Sequence, residues 1–291
     1  MEALRGRVAV LTGATGGLGP VIARALAGEG MDVVLTGRRV DALDAAVLAL
    51  RATGARADSV PADLADLDAT GALIERAERS FGPIDVLVNN AGVENVAAFT
   101  TLTPEELRAM VDVNLSAPML LTRYVLPGML ERGRGHVVFI SSMAGKFGPA
   151  FCEPYAATKA ALIGLTQSLR AEYGQSPVGF SVVCPGFIGG DGMYQRMVER
   201  GFRSNRLIGE TTTSKVAGKV VRAIRRDLPE VIESGAPIRP LLSFAALAPV
   251  SRSGSREGRR QRDVSAPERG AWEDRIARVG GMGDGPSAAS G

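Results

Sequence analysis

The sequence predicts an α/β fold, built as a single domain in which helices flank a doubly wound parallel sheet. Three observations support this prediction. Short apolar runs alternate with longer segments of helical periodicity along most of the chain, and a glycine-rich turn follows the first of these runs. The chain has 291 residues with 45% hydrophobic content, which is enough to bury one large core.

Charge and composition exclude several classes of function. The formal net charge is only +3, which argues against nucleic acid as a partner. Two cysteines, Cys152 and Cys184, and a single histidine, His136, do not provide the ligands of a structural zinc site, so no metal is expected. We expect both thiols to pack as small hydrophobic groups in a reducing compartment, and His136 to lie on the surface.

The sequence contains no pattern of a targeting or membrane-spanning segment. An apolar signal core does not precede the first predicted strand, and no run of about 18 apolar residues occurs. The expected location is therefore the cytoplasm.

The first predicted strand covers residues 7–12, and a helix over residues 21–27 follows it after a glycine-rich turn. Pro20 stands in the first turn of this helix, where its missing N–H is not needed. Strand, glycine turn and helix form the order of a Rossmann-type dinucleotide-binding site, because glycines allow a tight turn and the helix N-terminus attracts phosphate. The turn residues predicted to contact the cofactor are Gly13, Thr15, Gly17, Leu18 and Gly19.

The second predicted strand, residues 32–36, ends at Gly37, Arg38 and Arg39. NAD-binding proteins of this type carry an acidic residue here for the ribose 2′-hydroxyl. Two guanidinium groups suit a 2′-phosphate instead, so the sequence predicts NADP(H) in preference to NAD(H). The alternative is that the two arginines form a solvated pair at the start of the next helix.

A helix over residues 41–53 leads to the third predicted strand, residues 56–60. Asp63 and Leu64 come soon after this strand. Ligands of open α/β sheets bind at the carboxyl ends of the strands, so we predict that both residues contact the cofactor.

The next helix covers residues 67–80, and the fourth predicted strand covers residues 84–88. Asn90, Ala91 and Gly92 follow and are predicted to contact the cofactor. Asparagine side chains can also tie neighbouring backbone together, so this turn can serve structure as well as cofactor binding.

Thr103 begins a capping box that opens a long helical segment to about residue 130. Asn114 lies inside this segment, where it is either an ordinary core residue with satisfied hydrogen bonds or a functional one. The fifth predicted strand, residues 136–140, ends at Ser141 and Ser142.

Tyr155 and Lys159 lie four residues apart on the following helix and therefore share one face. A nearby ammonium favours phenolate and lowers the pKa of a tyrosine, so the pair points to proton transfer. The sixth predicted strand, residues 180–184, ends at the same edge of the sheet. Directly after it come Pro185, Gly186 and Ile188, which we predict to contact the cofactor.

These motifs, in this order, resemble the short-chain dehydrogenase/reductase family, in the ordinary-length subclass, over about residues 5–232. The resemblance implies that Ser142, thirteen residues before the tyrosine, is the catalytic serine. It also implies that Tyr155 is the acid–base group and that Lys159 bonds the nicotinamide ribose and lowers the pKa of Tyr155. The backbone of Asn114 would hold a water that resupplies the proton.

The implied function is that of an NADPH-dependent oxidoreductase that interconverts a ketone or aldehyde and an alcohol by hydride transfer. A 3-oxoacyl-thioester reductase and a hydroxysteroid or retinoid-type dehydrogenase remain alternatives. An NADP(H)-sensing binding protein is the alternative that is not an enzyme. Apolar side chains over residues 187–208 favour a small apolar carbonyl or alcohol substrate.

Two departures from the family's pattern stand in the last third of the chain. Gly190 occupies the position where the family commonly has a threonine that bonds the nicotinamide carboxamide, so a looser or relocated loop is expected. The usual short final strand is expected to be replaced at residues 229–233.

The chain is predicted to divide into a short-chain dehydrogenase domain over residues 1–235, an apolar segment over residues 236–250 and a disordered tail over residues 251–291. The apolar stretch 237–250 has four alternatives: packing on its own domain, covering the substrate pocket, pairing subunits, or peripheral contact with a membrane. The resemblance implies a homodimer or homotetramer.

Overall fold

The fold is taken from a computed structural model, which describes residues 4–189 and 209–236, all within one compact unit. The predictions for most of residues 187–208, for the apolar segment 237–250 and for the tail 251–291 lie outside the described residues.

A seven-stranded parallel sheet forms the centre of the domain, with the strand order β3-β2-β1-β4-β5-β6-β9. Its strands are β1 Val8–Leu11, β2 Asp32–Gly37, β3 Ala57–Pro61, β4 Val86–Asn89, β5 Gly135–Ile140, β6 Val178–Pro185 and β9 Glu230–Glu233. A separate parallel pair consists of β7 Phe187–Ile188 and β8 Glu210–Thr211. The predicted doubly wound α/β fold is confirmed.

Helices cover both faces of the sheet and enclose two hydrophobic cores. The helices are α1 Gly19–Gly28, α2 Val40–Arg51, α3 Ala69–Phe81, α4 Pro104–Val111, α5 Ala117–Glu131, α6 Ala144–Phe147, α7 Glu153–Tyr173 and α8 Thr213–Arg226. One core lies under α1, α2 and α8, and the other under α3, α5 and α7. None of the helices in the described ranges is long and apolar enough to cross a membrane.

The interior strands consist mostly of apolar residues because both of their faces are buried. Val33 and Leu35 of β2 belong to one core, while Val34 between them belongs to the other. Successive side chains of a strand point to opposite faces, so a strand covered on both sides needs an unbroken apolar run. This explains why the interior strands could be located from short apolar runs in the sequence alone.

The long helical segment begins at the predicted capping box. The Thr103 hydroxyl accepts a hydrogen bond from the Glu106 N–H at 3.2 Å, and the Glu106 carboxylate accepts one from the Thr103 N–H at 2.7 Å. The segment is not uniform, because a π-helical turn, Asp112–Ser116, separates α4 from α5. Such turns are rare and occur often at functional sites.

The prediction that the usual final strand is replaced at residues 229–233 is wrong. Glu230–Glu233 forms β9, the seventh strand of the sheet, and Val231 pairs with Val183 of β6. This edge strand has a glutamate at each end, so its sequence lacks the apolar run that identifies the interior strands.

His136 is buried, contrary to the prediction of a surface residue, with 6% of its surface exposed. Its strand, β5, pairs with β4 on one edge and with β6 on the other, in the interior of the sheet. The Ser181 hydroxyl uses its proton on the Leu228 carbonyl at 2.6 Å, so His136 Nε2–H donates to Ser181 Oγ at 2.8 Å. Burial lowers the pKa of His136 to about 4, against the opposing effect of the Asp227 carboxylate.

Both cysteines are buried free thiols, as predicted. Burial raises the pKa of Cys152 and of Cys184 to about 12 in each case. Among the described residues, no group of three or more His, Cys, Asp or Glu side chains is arranged to hold a metal ion.

Candidate active site

The glycine-rich turn between β1 and α1 packs too closely for any side chain at two of its positions. A Cβ atom on Gly13 would lie 2.7 Å from the Ala91 Cα, and the φ of Gly13 is +64°. A Cβ atom on Gly19 would lie 2.3 Å from the Gly13 carbonyl oxygen. The start of α1, the turn and the loop after β4 are therefore in direct backbone contact.

Thr12 and Asn90 lock the ends of β1 and β4 together. The Thr12 hydroxyl accepts hydrogen bonds from the N–H groups of Asn90 and Ala91, both at 2.9 Å. The Asn90 amide donates to the carbonyls of Thr12 at 2.9 Å and Gly13 at 3.1 Å. Asn90 thus ties neighbouring backbone together and fixes the shape of the turn, which is the structural role that the sequence indicates for it.

The start of α1 carries no side-chain cap, with Leu18 at the N-cap position. Gly17 beside it is exposed, and a Cβ atom there would meet nothing within 4 Å. A helix start without a capping side chain, next to open space, fits a bound phosphate.

Arg38 and Arg39 are both exposed and follow directly after β2. The Arg39 guanidinium donates to the Thr15 carbonyl at 3.2 Å, so it lies against the glycine-rich turn. A Cβ atom on Gly37 would lie 3.6 Å from the Thr15 hydroxyl. The turn is therefore flanked by positive charge at the position where NAD-binding proteins carry a carboxylate.

Asp63 and Leu64 lie at the carboxyl end of β3, on the same edge of the sheet as the glycine-rich turn. The Asp63 carboxylate accepts a hydrogen bond from the Ala65 N–H at 3.0 Å, and Leu64 is buried. The Ala62 N–H donates to the Gly37 carbonyl at 3.0 Å, which extends the pairing of β3 with β2 toward this edge. Asp63 thereby orders its own loop beside the arginine pair.

The two serines after β5 have different surroundings. Ser142 is half-buried and lies beside the Tyr155 phenol, and its oxygen accepts a hydrogen bond from the Ala144 N–H at 3.1 Å. Ser141 is buried and donates to the Lys159 carbonyl at 2.7 Å. Ser142 therefore faces the tyrosine side chain, whereas Ser141 binds the backbone of α7.

Lys159 is buried one turn after Tyr155, with its ammonium nitrogen 5.5 Å from the centre of the tyrosine ring. The ammonium donates to the Ile140 carbonyl at 2.9 Å. Burial lowers the pKa of Lys159 to about 8, with a smaller opposing effect from Cys184. An ammonium has three N–H donors, so two remain after the bond to Ile140.

The pKa of Tyr155 is raised in the protein alone, contrary to the prediction that Lys159 lowers it. Burial is the largest cause, followed by the Glu94 carboxylate, and the hydrogen bond to Ser142 only partly offsets them. Removing the phenol from water disfavours its charged form, and Lys159 is not among the groups that shift this pKa.

Asn114 is fully buried in the π-helical turn, and its side chain has a complete set of partners. Its oxygen accepts from the Val93 N–H at 2.8 Å, and its amide donates to the Val93 carbonyl at 2.8 Å and the Thr158 hydroxyl at 3.2 Å. A Cβ atom on Gly92 would lie 3.3 Å from the Asn114 oxygen and 3.4 Å from the Lys159 nitrogen. The side chain is thus a satisfied core amide, and it also borders the site.

Pro185, Gly186 and Ile188 belong to the Pro185–Ile188 loop, which runs from the end of β6 into β7. This loop lies beside the Ser142 loop, the turn that follows β5. The Met143 N–H donates to the Pro185 carbonyl at 2.8 Å, which joins the two loops directly. Gly186 and Ile188 are half-buried, and Ile188 pairs with Thr211 in the small β7–β8 sheet. The three predicted cofactor residues of this loop therefore lie next to the Ser142 loop.

The sequence prediction missed three residues that shape the site. They are Glu94, whose carboxylate raises the pKa of Tyr155; Thr12, whose hydroxyl organises the turn; and Lys146, which pairs with Glu230 at 2.5 Å and ties α6 to β9. A signal existed for Thr12, the last polar group before the glycines. Lys146 and its partner are 84 residues apart, so no local pattern could identify that pair.

A family model described as short chain dehydrogenase matches residues 7–199. The chain is 41% identical over 248 residues to the ketoacyl reductase HetN of Nostoc sp., and the match covers 85% of each protein.

Two solved structures are similar in fold. A metagenomic short-chain oxidoreductase in complex with NADP has a TM-score of 0.68 and 37% identity, over 80% of this chain and 98% of that one. A short-chain dehydrogenase/reductase from Burkholderia phymatum in complex with NAD has a TM-score of 0.73 and 26% identity, over 85% of this chain and 94% of that one.

Proposed function

The chain belongs to the short-chain dehydrogenase family, and from this premise we propose that it is an NADPH-dependent oxidoreductase that interconverts a ketone or aldehyde and an alcohol. The family and its relatives support the broader class without further assumption: an NAD(P)-dependent oxidoreductase that acts on CH–OH groups. The proposal adds the cofactor preference, the residues of the site and the hydride transfer.

The observation that carries the proposal is that three side chains meet at one place: Ser142 lies beside the Tyr155 phenol, and the Lys159 ammonium lies one helical turn away, 5.5 Å from the centre of the tyrosine ring. Ser142 holds the substrate oxygen by a hydrogen bond. Tyr155 gives its proton to that oxygen as the carbonyl carbon is reduced, and removes the proton in the opposite direction. The raised pKa of Tyr155 makes the phenol a weaker acid in the protein alone, so we propose that the bound cofactor, together with Lys159, lowers this pKa during turnover.

A bound nicotinamide cofactor supplies or accepts the hydride. Its phosphates fit the turn at Gly13 and Gly19, where side chains would collide with backbone, and the uncapped start of α1. Within the described part of the chain the Lys159 ammonium bonds the Ile140 carbonyl alone, which leaves two N–H donors for the nicotinamide ribose. The other residues proposed to hold the cofactor are Thr15, Gly17, Leu18, Asp63, Leu64, Asn90, Ala91, Gly92, Tyr155, Pro185, Gly186 and Ile188.

The preference for NADPH is supported by Arg38 and Arg39. Both guanidinium groups are exposed beside the turn, and Arg39 is already oriented by its bond to the Thr15 carbonyl. Guanidinium makes charge-assisted hydrogen bonds to phosphate. The 2′-phosphate of NADPH therefore gains binding energy from the two arginines that the 2′-hydroxyl of NADH does not gain.

The resupply of the proton is proposed to pass through a water at the backbone of Asn114. The π-helical turn Asp112–Ser116 breaks the regular i to i+4 pattern of carbonyl bonding, and a broken pattern leaves room for a water. The side chain of Asn114 holds Val93, which fixes the turn against the loop after β4.

A 3-oxoacyl thioester is the substrate class that a specific comparison favours, because HetN is a ketoacyl reductase and the match covers 85% of it. Turnover on a hydroxysteroid, a retinoid or another small apolar carbonyl compound would assign one of those substrate classes instead. NADPH binding without turnover on any class would instead favour an NADP(H) sensor.

We also propose a cytoplasmic homodimer or homotetramer, and a dehydrogenase domain that ends near residue 235. Met119 and Tyr124 on α5 are about two-fifths exposed, at 40% and 43%, which supports a subunit contact on this helix. The peripheral membrane contact through residues 237–250 remains a proposal to be tested by vesicle binding of the full chain.

The test is NADPH oxidation, followed by absorbance, with ketones, 3-oxoacyl thioesters, steroids and retinal, and with NADH in parallel. Tyr155→Phe should bind NADPH normally and lose at least about a hundredfold in turnover. Tyr173→Phe is the matched control, because Tyr173 is the last residue of the same helix. Full turnover by Tyr155→Phe would refute the proposed site.

A further inference from the structure

We propose that the buried carboxylate of Glu233 is a positioning residue, which fixes the loop proposed to hold the nicotinamide by anchoring Thr211. The inference rests on the proposed function, because it concerns the Pro185–Ile188 loop as a cofactor contact. It assigns a role to β9, the edge strand of the sheet, which has a glutamate at each end.

Glu233 ends β9 and is 8% exposed, yet both carboxylate oxygens have partners. One oxygen accepts the Thr211 hydroxyl proton at 2.9 Å, and the other lies 3.4 Å from the Lys219 ammonium. Burying a carboxylate carries a large desolvation cost, which an apolar residue at the same position would avoid. What the carboxylate provides is two acceptors directed at two different elements, β8 and α8.

Thr211 transmits this anchor to the cofactor loop. It is 2% exposed and pairs with Ile188 in the β7–β8 sheet. The Gly189 N–H donates to the Thr211 carbonyl at 3.1 Å. The side chain of Thr211 thus binds Glu233 while its backbone holds the end of the loop.

Glu233 also holds the beginning of the same loop. The Gly186 N–H donates to the Glu233 carbonyl at 2.7 Å. One residue therefore fixes the loop at both ends, through its backbone at Gly186 and through its side chain by way of Thr211.

The chain after β9 packs closely against β8. A Cβ atom on Gly235 would lie 2.5 Å from the Glu210 nitrogen, and one on Gly209 would lie 3.1 Å from the Gly235 backbone. The two segments are thus in backbone contact beside the Glu233–Thr211 bond, and this contact supports the anchor.

The proposal predicts a loss of affinity that is specific for the nicotinamide half of the cofactor. Glu233→Gln keeps the size of the side chain, but the amide has a single acceptor for two donors. Thr211→Val keeps the shape and removes the hydroxyl, whereas Thr211→Ser retains it. We expect the first two variants to bind NADPH about tenfold more weakly and Thr211→Ser to bind nearly as wild type.

The experiment is calorimetric titration of the full-length wild type and each variant with NADPH and with 2′-phospho-ADP-ribose, which lacks the nicotinamide. The expected result is a tenfold loss for NADPH with an unchanged dissociation constant for the fragment. The Glu233→Gln/Thr211→Val double variant should lose no more than either single variant, because the two residues act through one bond.

Asp227→Asn is the matched control. It weakens the two-bond ion pair of Asp227 with Arg170, at 2.6 and 3.1 Å, at the other end of α8. Asn tolerates the left-handed conformation of this residue, whose φ is +45°. This variant should leave both dissociation constants unchanged.

Equal losses for NADPH and the fragment would overturn the inference, because Glu233 would then support the domain as a whole. Unchanged binding of NADPH by both Glu233→Gln and Thr211→Val would overturn it as well. A wild-type protein that binds neither ligand would instead refute the proposed function, so the two failures are distinguishable.

Discussion

The Ser141 hydroxyl donates a hydrogen bond to the Lys159 carbonyl at 2.7 Å, while the side chain of the neighbouring Ser142 lies beside the Tyr155 phenol. Two adjacent serines thus serve the same helix in different ways. Ser141 binds its backbone and sets the position of α7 against β5. Ser142 meets the side chain that is proposed to transfer the proton.

This division predicts opposite effects for two alanine variants. Ser142→Ala should lower turnover by about a hundred- to a thousandfold with little change in stability, because it removes a donor to the substrate oxygen. Ser141→Ala should lower the free energy of unfolding by about 1 kcal/mol or more and keep most of the turnover, because it removes a buried hydrogen bond. Steady-state kinetics and urea unfolding of both variants provide the measurements, and equal turnover losses would contradict the assignment.

Burial of Lys159 predicts that the contribution of this residue to stability rises with pH in the alkaline range. Its pKa is lowered from 10.5 to about 8, so between these values the unfolded chain binds more protons at this residue than the folded one. The Lys159 contribution to the free energy of unfolding should therefore increase from pH 8 toward pH 10, by up to about 3 kcal/mol, while the raised pKa values of Cys152 and Cys184 act in the opposite direction above about pH 9. Lys159→Met should remove this rise, and a variant with the same pH profile as wild type would contradict the interpretation.

Burial of His136 predicts a loss of stability in acid. Its pKa is lowered from 6.5 to about 4, so the unfolded chain binds the extra proton between these values and stability falls as pH decreases through that window. His136→Asn keeps an N–H donor for Ser181 and cannot become charged. Urea unfolding at pH 7 and pH 5 should show a smaller difference for this variant than for the wild type. Because His136 is the only histidine, no other imidazole contributes.

Much of the site could be predicted because its residues follow strand ends. In a parallel sheet the carboxyl ends of all strands meet at one edge, so Ser142 after β5 and Asn90 after β4 must come close once the strands are known. The Tyr155–Lys159 spacing places two side chains on one helical face by geometry alone. These predictions need only local patterns and one rule of topology.

The errors have a common physical origin in long-range contacts. His136 looked like a surface residue, but the partners that bury it are 45 and 91 residues away, Ser181 and Asp227. The pKa of Tyr155 depends on how deeply the phenol is buried, which no spacing reveals. For β9, the pairing with β6 rather than its own hydrophobicity makes residues 230–233 a strand.

The arginine pair after β2 provides the sharpest test of the cofactor. Arg38→Ala/Arg39→Ala should weaken NADPH binding by about ten- to a hundredfold, because each guanidinium lost removes a charge-assisted bond to the 2′-phosphate. NADH binding should change little, because the uncharged 2′-hydroxyl of NADH makes no charge-assisted bond that the variant could lose. Dissociation constants for NADPH and NADH, measured at two salt concentrations, check the prediction, and the loss of NADPH affinity should be smaller at high salt.

Arg56→Ala is a suitable control, because Arg56 is an exposed arginine whose guanidinium pairs with Asp32 at 2.6 Å. An unchanged ratio of NADPH to NADH affinity in the double variant would show that the two arginines are a solvated pair, and the preference for NADPH would then need another origin.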